Sequence, residues 1–243
     1  MQDSFAFTRL LNHLFGPAVG GLLESVGVHP ANPAAPINDT FAWELLVALG
    51  LLAFFVVVRL TLSVENPKPA QQVAEMIHEF VGGQAEQVIG HGYERFQAFV
   101  TCIGLFIVLN NFVGLLPGTM SPTSQPVVPL GLAVLTFLYY NFYGVRTHGV
   151  GYLKQFAGPI WWMSPLLFPV EIISHLARML SLTVRLYANM LASDLLILIC
   201  FSLIPPLAPT AFLGLHFFVS IVQAYVFMLL SMIYLAMATS HEH

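Results

Sequence analysis

Charge is what this sequence has least of. Of 243 residues only 8% are Asp, Glu, Lys or Arg, against about 25% in an ordinary globular domain, while 57% are apolar. Eight basic and twelve acidic side chains cannot cover the surface of a water-soluble domain of this length. A mean hydropathy of +0.79 agrees. The chain reads as an all-α integral membrane protein. Basic runs are also missing, and with a net charge of −4 nothing here supplies the electrostatic footprint of a nucleic-acid binder. Cysteine is scarce: Cys102 and Cys200 each sit in an apolar stretch and read as small buried hydrophobes, which excludes a disulfide framework or a cysteine metal site. His78, His91, His241 and His243 lie on polar segments without metal spacing, so neither a metal nor a cofactor is expected. No secretory leader is evident, because Met1-Gln2-Asp3 lacks a basic start and Arg9, His13 and Pro17 interrupt the first apolar stretch.

What is present is a series of long apolar runs. A spanning helix needs about 20 mainly apolar residues. Residues 1–40 read as an amphipathic arm on the outer side, and 41–243 as one membrane domain. Within it, 41–63 is expected to span, with Glu44 and Arg59 near its ends, before Asn66-Pro67-Lys68-Pro69 stops it. Residues 70–96 carry Val73, Met76, Ile77, Phe80 and Val81 at helical spacing among polar residues, the pattern of a helix lying on the cytoplasmic surface. Spans follow at 97–117 and 127–146.

The last 80 residues differ. No Pro or Gly interrupts 170–204, a helix of about 52 Å against a hydrocarbon core of about 30 Å. Pro205, Pro206 and Pro209 predict a turn, and 210–240 gives a second over-long helix. Segments 165–204 and 210–240 therefore read as a long hairpin, steeply tilted in the membrane. Basic residues set the orientation. Lys68, Arg95, Arg146 and Lys154 put 64–96 and 146–158 inside, the N-terminus outside and the C-terminus in the cytoplasm.

Ionisable residues inside a membrane are functional hypotheses by default. Glu171, Ser174, Arg178, Ser181, Arg185 and Asn189 fall within about 40° of Arg185 at ~100° per residue, forming one polar stripe. Asp194 points to the opposite side of the same helix. On the second long helix His216 and Gln223 share a face, and in an antiparallel hairpin the pairs Arg185–Gln223 and Asp194–His216 fall in one register. The stripe would line a wet path to the cytoplasm, and Asp194 with His216 a separate path to the outside. Arg185 would stand between them. A guanidinium cannot relay a proton, but it can hold a neighbouring carboxylate ionised and block direct leakage. His175 lies off the stripe and reads as structural, Asn110 and Asn111 as helix-to-helix glue, and Trp161, Trp162, Tyr139, Tyr140 and Tyr143 as interfacial belts.

Ser181-Leu-Thr-Val-Arg185-Leu-Tyr-Ala-Asn189-Met190 resembles the signature of the a subunit of F-type rotary ATP synthases, the stator channel beside the c-ring. The resemblance runs from about Phe41 to the C-terminus and takes in Leu109-Asn110-Asn111-Phe112-Val113-Gly114-Leu115-Leu116-Pro117, Pro122-Thr123 and Gln223-Ala-Tyr-Val-Phe-Met-Leu-Leu. It implies that Arg185 faces the ring carboxylate, with Asn189 one turn on and Glu171 and Ser181 at inner half-channel positions. Asp194, His216 and Gln223 match outer half-channel and arginine-neighbour positions. Asp194 stands where many members carry Glu or His, and Ser124-Gln125-Pro126 with Pro129 replaces an acidic pattern common before the third span.

The resemblance implies partners: the c-subunit ring, b-type peripheral stalk subunits, the remaining synthase subunits and the lipid bilayer. It also implies a bacterial plasma (inner) membrane, and a chain that is no enzyme by itself. A secondary transporter or other membrane ion carrier using the same stripe is the alternative, but such carriers usually show internal repeats and broken helices, and neither is found here. A haem-bearing subunit would want paired histidines at mid-membrane, and His175 and His216 differ in depth.

Overall fold

The computed structural model describes residues 5–25, 35–63, 66–116, 119–149, 164–203 and 207–239. Trp161, Trp162, Lys154, the Pro205-Pro206 turn, and His241 and His243 lie outside them. Seven α-helices are described: α1 (Ala6–Ser25), α2 (Asp39–Leu60), α3 (Pro69–Ile89), α4 (Glu94–Val113), α5 (Val127–His148), α6 (Ser164–Leu203) and α7 (Leu207–Thr239). A 3-10 turn, Pro122–Ser124, sits between α4 and α5. No strand occurs among the described residues. Five of the helices (α2, α4, α5, α6 and α7) are long and apolar enough to cross a membrane.

The chain divides into two compact units, 1–54 and 55–243. In the first, Asn38 caps α2 by accepting the Phe41 N–H at 2.9 Å, and Asp39 lies in the first turn where the helix dipole favours an anion. Asp39 also accepts from the Thr8 hydroxyl at 2.6 Å, and the Asn12 amide spans both backbone groups of Ile37 at 2.9 and 3.0 Å. Helix α1 continues through Pro17 rather than breaking there, forgoing the one backbone bond that proline cannot donate.

In the second unit α4, α5 and α7 pack together, with α3 against α4 and α7 and with α6 against α5 and α7. One core cluster joins Val81 and Ala85 to Phe96, Val100, Tyr140, Met228 and Met232. The other joins Ile103 and Ile107 to Leu132, Leu186, Met190 and Phe227. Outside the bundle the pattern is that of a lipid-facing protein. Leu138, Phe142, Ile173, Leu180, Val184, Leu198 and Phe218 are all exposed.

Several sequence expectations are corrected. The helix expected over 70–96 is two helices, because Gly90 and Gly92 take positive φ (76° and 87°) that only glycine adopts freely. Its apolar stripe is split: Val81 packs inward with Gly82 and Ala85, whereas Val73, Met76 and Phe80 stay exposed. A Cβ at Gly82 would come 2.7 Å from Gln97 Nε2, which donates to the His78 carbonyl at 2.6 Å, so a larger residue there would push that amide aside. Pro209, expected in the turn, lies in the first turn of α7, where a missing N–H costs no helical bond. Helix α6 begins at Ser164, one residue before the expected 165–204 segment, and runs through Pro169 as that segment does. The tyrosines are not simply a belt: Tyr139 stacks on Phe99 with ring centroids 3.6 Å apart, and Tyr140 is 3% exposed in the core.

Candidate functional site

Helix α6 is 40 residues long and buries one face only. His175, Leu182, Leu186, Met190, Asp194 and Ile197 recur every three, four or seven positions and are all buried. The stripe runs along the edge of that face: Ser181, Arg185 and Asn189 are exposed, while Glu171, Ser174 and Arg178 are half-buried. Asp194 is thus enclosed by the protein, and Arg185 looks out of it.

Around Asp194 the structure assembles residues from four elements. Its Oδ2 accepts the backbone N–H of Ser121 at 2.9 Å, and its Oδ1 lies 3.2 Å from the Ser121 hydroxyl. His216, fully buried, brings Nδ1 to 3.5 Å from Asp194 Oδ1 and 2.8 Å from the Ser193 hydroxyl. Its other nitrogen, Nε2, is 3.1 Å from the Asn111 carbonyl. A carbonyl only accepts, so Nε2 carries hydrogen, and in the neutral ring Nδ1 is left to accept from Ser193. Taking up a proton turns Nδ1 into a donor, and the Asp194 carboxylate is its charged partner. Asp194 and His216 can therefore pass a proton without moving a backbone.

The surroundings explain why this pair is held. Asn111 belongs to the last turn of α4, where, of backbone donors, its carbonyl takes only the Gly114 N–H at 3.1 Å and keeps a lone pair for a further donor. The Ser121 hydroxyl is 3.2 Å from the Asn111 carbonyl as well as from Asp194, and its single proton serves one of them at a time. The Asn111 amide reaches across to the Ser220 carbonyl at 3.3 Å, and its Oδ1 accepts from Thr123 at 2.5 Å. Gly114 closes the same space: a Cβ there would collide with Ser121 Oγ and stand 2.9 Å from Asp194 Oδ1 and 3.1 Å from His216 Nε2.

Gln223 does not reach Arg185. Its Oε1 accepts from Asn189 Nδ2 at 2.9 Å, so the hairpin register is shifted by one turn from the pairing the sequence suggests at this level. The Asp194–His216 pairing is found as expected. Among the described residues Arg185 makes no hydrogen bond or ion pair. Arg178 is occupied, its guanidinium 5.8 Å from the centre of the Tyr234 ring. Toward the start of α6, Glu171 Oε1 is 3.4 Å from His175 Nε2. Of the expected glue residues only Asn111 joins helices. Asn110 donates to Phe106 in its own helix and leaves its buried Oδ1 unpartnered. Ser121 and Ser193 stand out in no sequence pattern, being uncharged and remote in sequence from Asp194 and His216 respectively, and Gly114 shows only as one member of the Leu109–Pro117 stretch. Among the described residues no His, Cys, Asp or Glu cluster could hold a metal ion.

Comparison with known proteins bears on what this arrangement serves. The family described as ATP synthase A chain matches residues 41–236. A protein of Koribacter versatilis (strain Ellin345) named ATP synthase subunit a is 47% identical over 244 residues, covering 100% of each chain. One of the same name from Solibacter usitatus (strain Ellin6076) is 42% identical, covering 96% of this chain and 99% of its own. A third, from Solidesulfovibrio magneticus (strain ATCC 700980 / DSM 13731 / RS-1), is 36% identical over 90% of this chain and 93% of its own.

Proposed function

The chain belongs to the ATP synthase A chain family, and from that premise we propose that this multi-pass membrane subunit is the ion-conducting stator of a rotary ATP synthase. Two offset half-paths serve carboxylates carried on a rotating c-type ring. Protons enter from the outside at Asp194 and His216, neutralise a ring carboxylate and travel with the ring. They leave toward the cytoplasm along Glu171 and Ser181. Arg185 separates the two paths, with Asn189 and Gln223 beside it. The chain moves protons and makes no other bond. The driving force is about 2.3 kcal/mol per charge per 100 mV, plus the pH difference.

One observation carries this reading: Arg185 is an exposed cation on a membrane-length helix and makes no hydrogen bond or ion pair among the described residues. In a membrane such a charge is costly unless something external neutralises it. A carboxylate on a partner helix would do so. The face that Arg185 shares with Ser181, Ala188 and Ala192, all exposed, has small side chains that admit a close helix. The same reading has the N-terminus and residues 1–40 outside, the C-terminus in the cytoplasm of a bacterium, the 165–204/210–240 hairpin steeply tilted along the ring, and b-type stalk subunits beside the chain.

The test is Arg185→Ala in the assembled complex, reconstituted into vesicles. ATP-driven pumping is expected to vanish while passive proton conduction under an imposed potential persists or rises. Pumping at near parental rate would end the stator reading.

A further inference from the structure

The stripe's inner end contains a buried imidazole that the two half-paths leave unused. His175 is buried, with its Nε2 3.4 Å from Glu171 Oε1 and its Nδ1 2.9 Å from the Tyr140 hydroxyl of α5. Glu171 is half-buried, its side chain 40% exposed, so the carboxylate is reachable while the imidazole behind it is not. The ring is fixed in orientation. It stacks on Tyr140 with centroids 5.8 Å apart and meets Phe137 edge-on at 6.4 Å. Both ring nitrogens thus have a polar neighbour, and the one at Nε2 is a carboxylate that reaches the surface.

The Tyr140 contact has a chemical consequence. A phenol both donates and accepts, so it satisfies Nδ1 in either tautomer of the ring. With Nδ1–H donating to Tyr140, Nε2 holds a lone pair facing Glu171. With Tyr140 donating to Nδ1, Nε2 carries hydrogen toward the carboxylate. The ring can therefore accept a proton at Nε2 and give it back without losing its anchor.

We propose that His175, oriented by Tyr140, exchanges the outgoing proton with Glu171 and so makes the inner exit a two-group relay. The inference rests on the reading that protons leave along the Glu171 stripe. In the transfer the Glu171 O–H bond breaks and the Nε2–H bond forms. A neutral acid–imidazole pair becomes a carboxylate–imidazolium pair of the same net charge; on release the Nε2–H bond breaks, the Glu171 carboxylate takes the proton back, and it hands that proton to water at its exposed edge. Four titratable or charged groups surround the ring: Glu171 and Arg178 from α6, Tyr140 from α5, and Tyr234 of α7, whose ring lies 6.0 Å from that of Tyr140.

The experiment compares parent, His175→Gln and Tyr140→Phe as whole complexes in vesicles. ATP-driven pumping is followed across a range of inner-side pH. Gln can bond Tyr140 but cannot carry a proton, so H175Q is expected to pump at least about threefold more slowly, with a changed inner-pH profile. Y140F is expected to change the same profile by a smaller factor. Rates and profile within twofold of the parent in both variants would overturn the proposal. So would a slow H175Q whose inner-pH profile keeps the parent's shape, because a uniform loss is the signature of lost packing. If H175Q does not assemble, Y140F decides alone: a changed inner-pH profile supports the relay and an unchanged one overturns it. R185A keeps the two levels apart. Lost pumping there with a parental H175Q ends only the relay, whereas pumping retained in R185A ends the stator reading beneath it.

Discussion

Helix α6 carries an acid and a base on opposite faces, and the protein treats them in opposite ways. Asp194 is 6% exposed and is met by a backbone N–H, a hydroxyl and an imidazole. Arg185 is exposed and has no partner among the described residues. A buried carboxylate without partners would be strongly unfavourable, so α4, the 3-10 turn and α7 all contribute to its surroundings. An exposed guanidinium on a membrane helix is also unfavourable, yet no described residue forms a hydrogen bond or ion pair with it. The asymmetry teaches that one side of the helix is satisfied within this chain, and that it is the other side on which the proposed stator reading depends.

The largest expected effects break the contrast at its two poles. Arg185→Ala removes the unsatisfied side. Asp194→Asn tests the satisfied one: the amide oxygen can still accept the Ser121 N–H, so the pocket keeps its shape but loses its exchangeable charge. Pumping is expected to fall at least about 100-fold, with assembly unchanged as judged by co-purification of the complex. Pumping retained in D194N would mean that protons enter elsewhere.

Next in size is Gly114→Ala. The glycine has helical φ and ψ of −65° and −12°, so alanine strains no backbone there and its effect is steric. The new methyl displaces Ser121 Oγ and crowds Asp194 and His216, an overpacking cost of about 1–3 kcal/mol. Pumping should drop about tenfold in G114A. Gly104→Ala is the control: its Cβ would stand 3.3 Å from the sulfur of Met228, a flexible side chain that can yield. Pumping in G104A is expected to match the parent. Equal losses in both would mean that glycine serves helix packing generally rather than the Asp194 pocket.

The residues that sequence periodicity brings out are those whose partner is a helix face. The stripe from Glu171 to Asn189, the opposed direction of Asp194 and its pairing with His216 all follow from helical spacing and antiparallel geometry. What periodicity leaves out is supplied by non-helical backbone. Ser121 caps Asp194 from a turn 73 positions away, and no spacing rule connects them. The Gln223 register slips for a related reason: where the helices turn fixes which residues face each other, and a double proline narrows that point only to within a turn of helix. Pro17 misleads in the same direction, since the local penalty for proline inside a helix is overridden by the helix continuing on both sides.

The smallest expected effect separates two neighbours that look alike in sequence. Asn110 and Asn111 are both fully buried in α4. Asn111 bonds Ser220 and Thr123 and lends its carbonyl to His216, tying α4 to α7 and to the turn that caps Asp194. Asn110 bonds only the Phe106 carbonyl in its own helix, at 2.8 Å, and its Oδ1 has no partner. Asn110→Leu has similar volume and removes a buried acceptor whose desolvation costs about 1–3 kcal/mol, so the assembled complex should be as heat-stable as the parent or slightly more so. Asn111→Leu removes two bonds that join separate elements and should lower the inactivation temperature of the same complex. Pumping rates carry the sharper reading, because stability alone cannot tell glue from path. If N110L is stable yet pumps slowly, the unpartnered Oδ1 serves water or a proton on its way to Asp194. If it pumps at the parental rate, the satisfied side of α6 begins at Asn111, and Asn110 is a polar residue that the core merely tolerates.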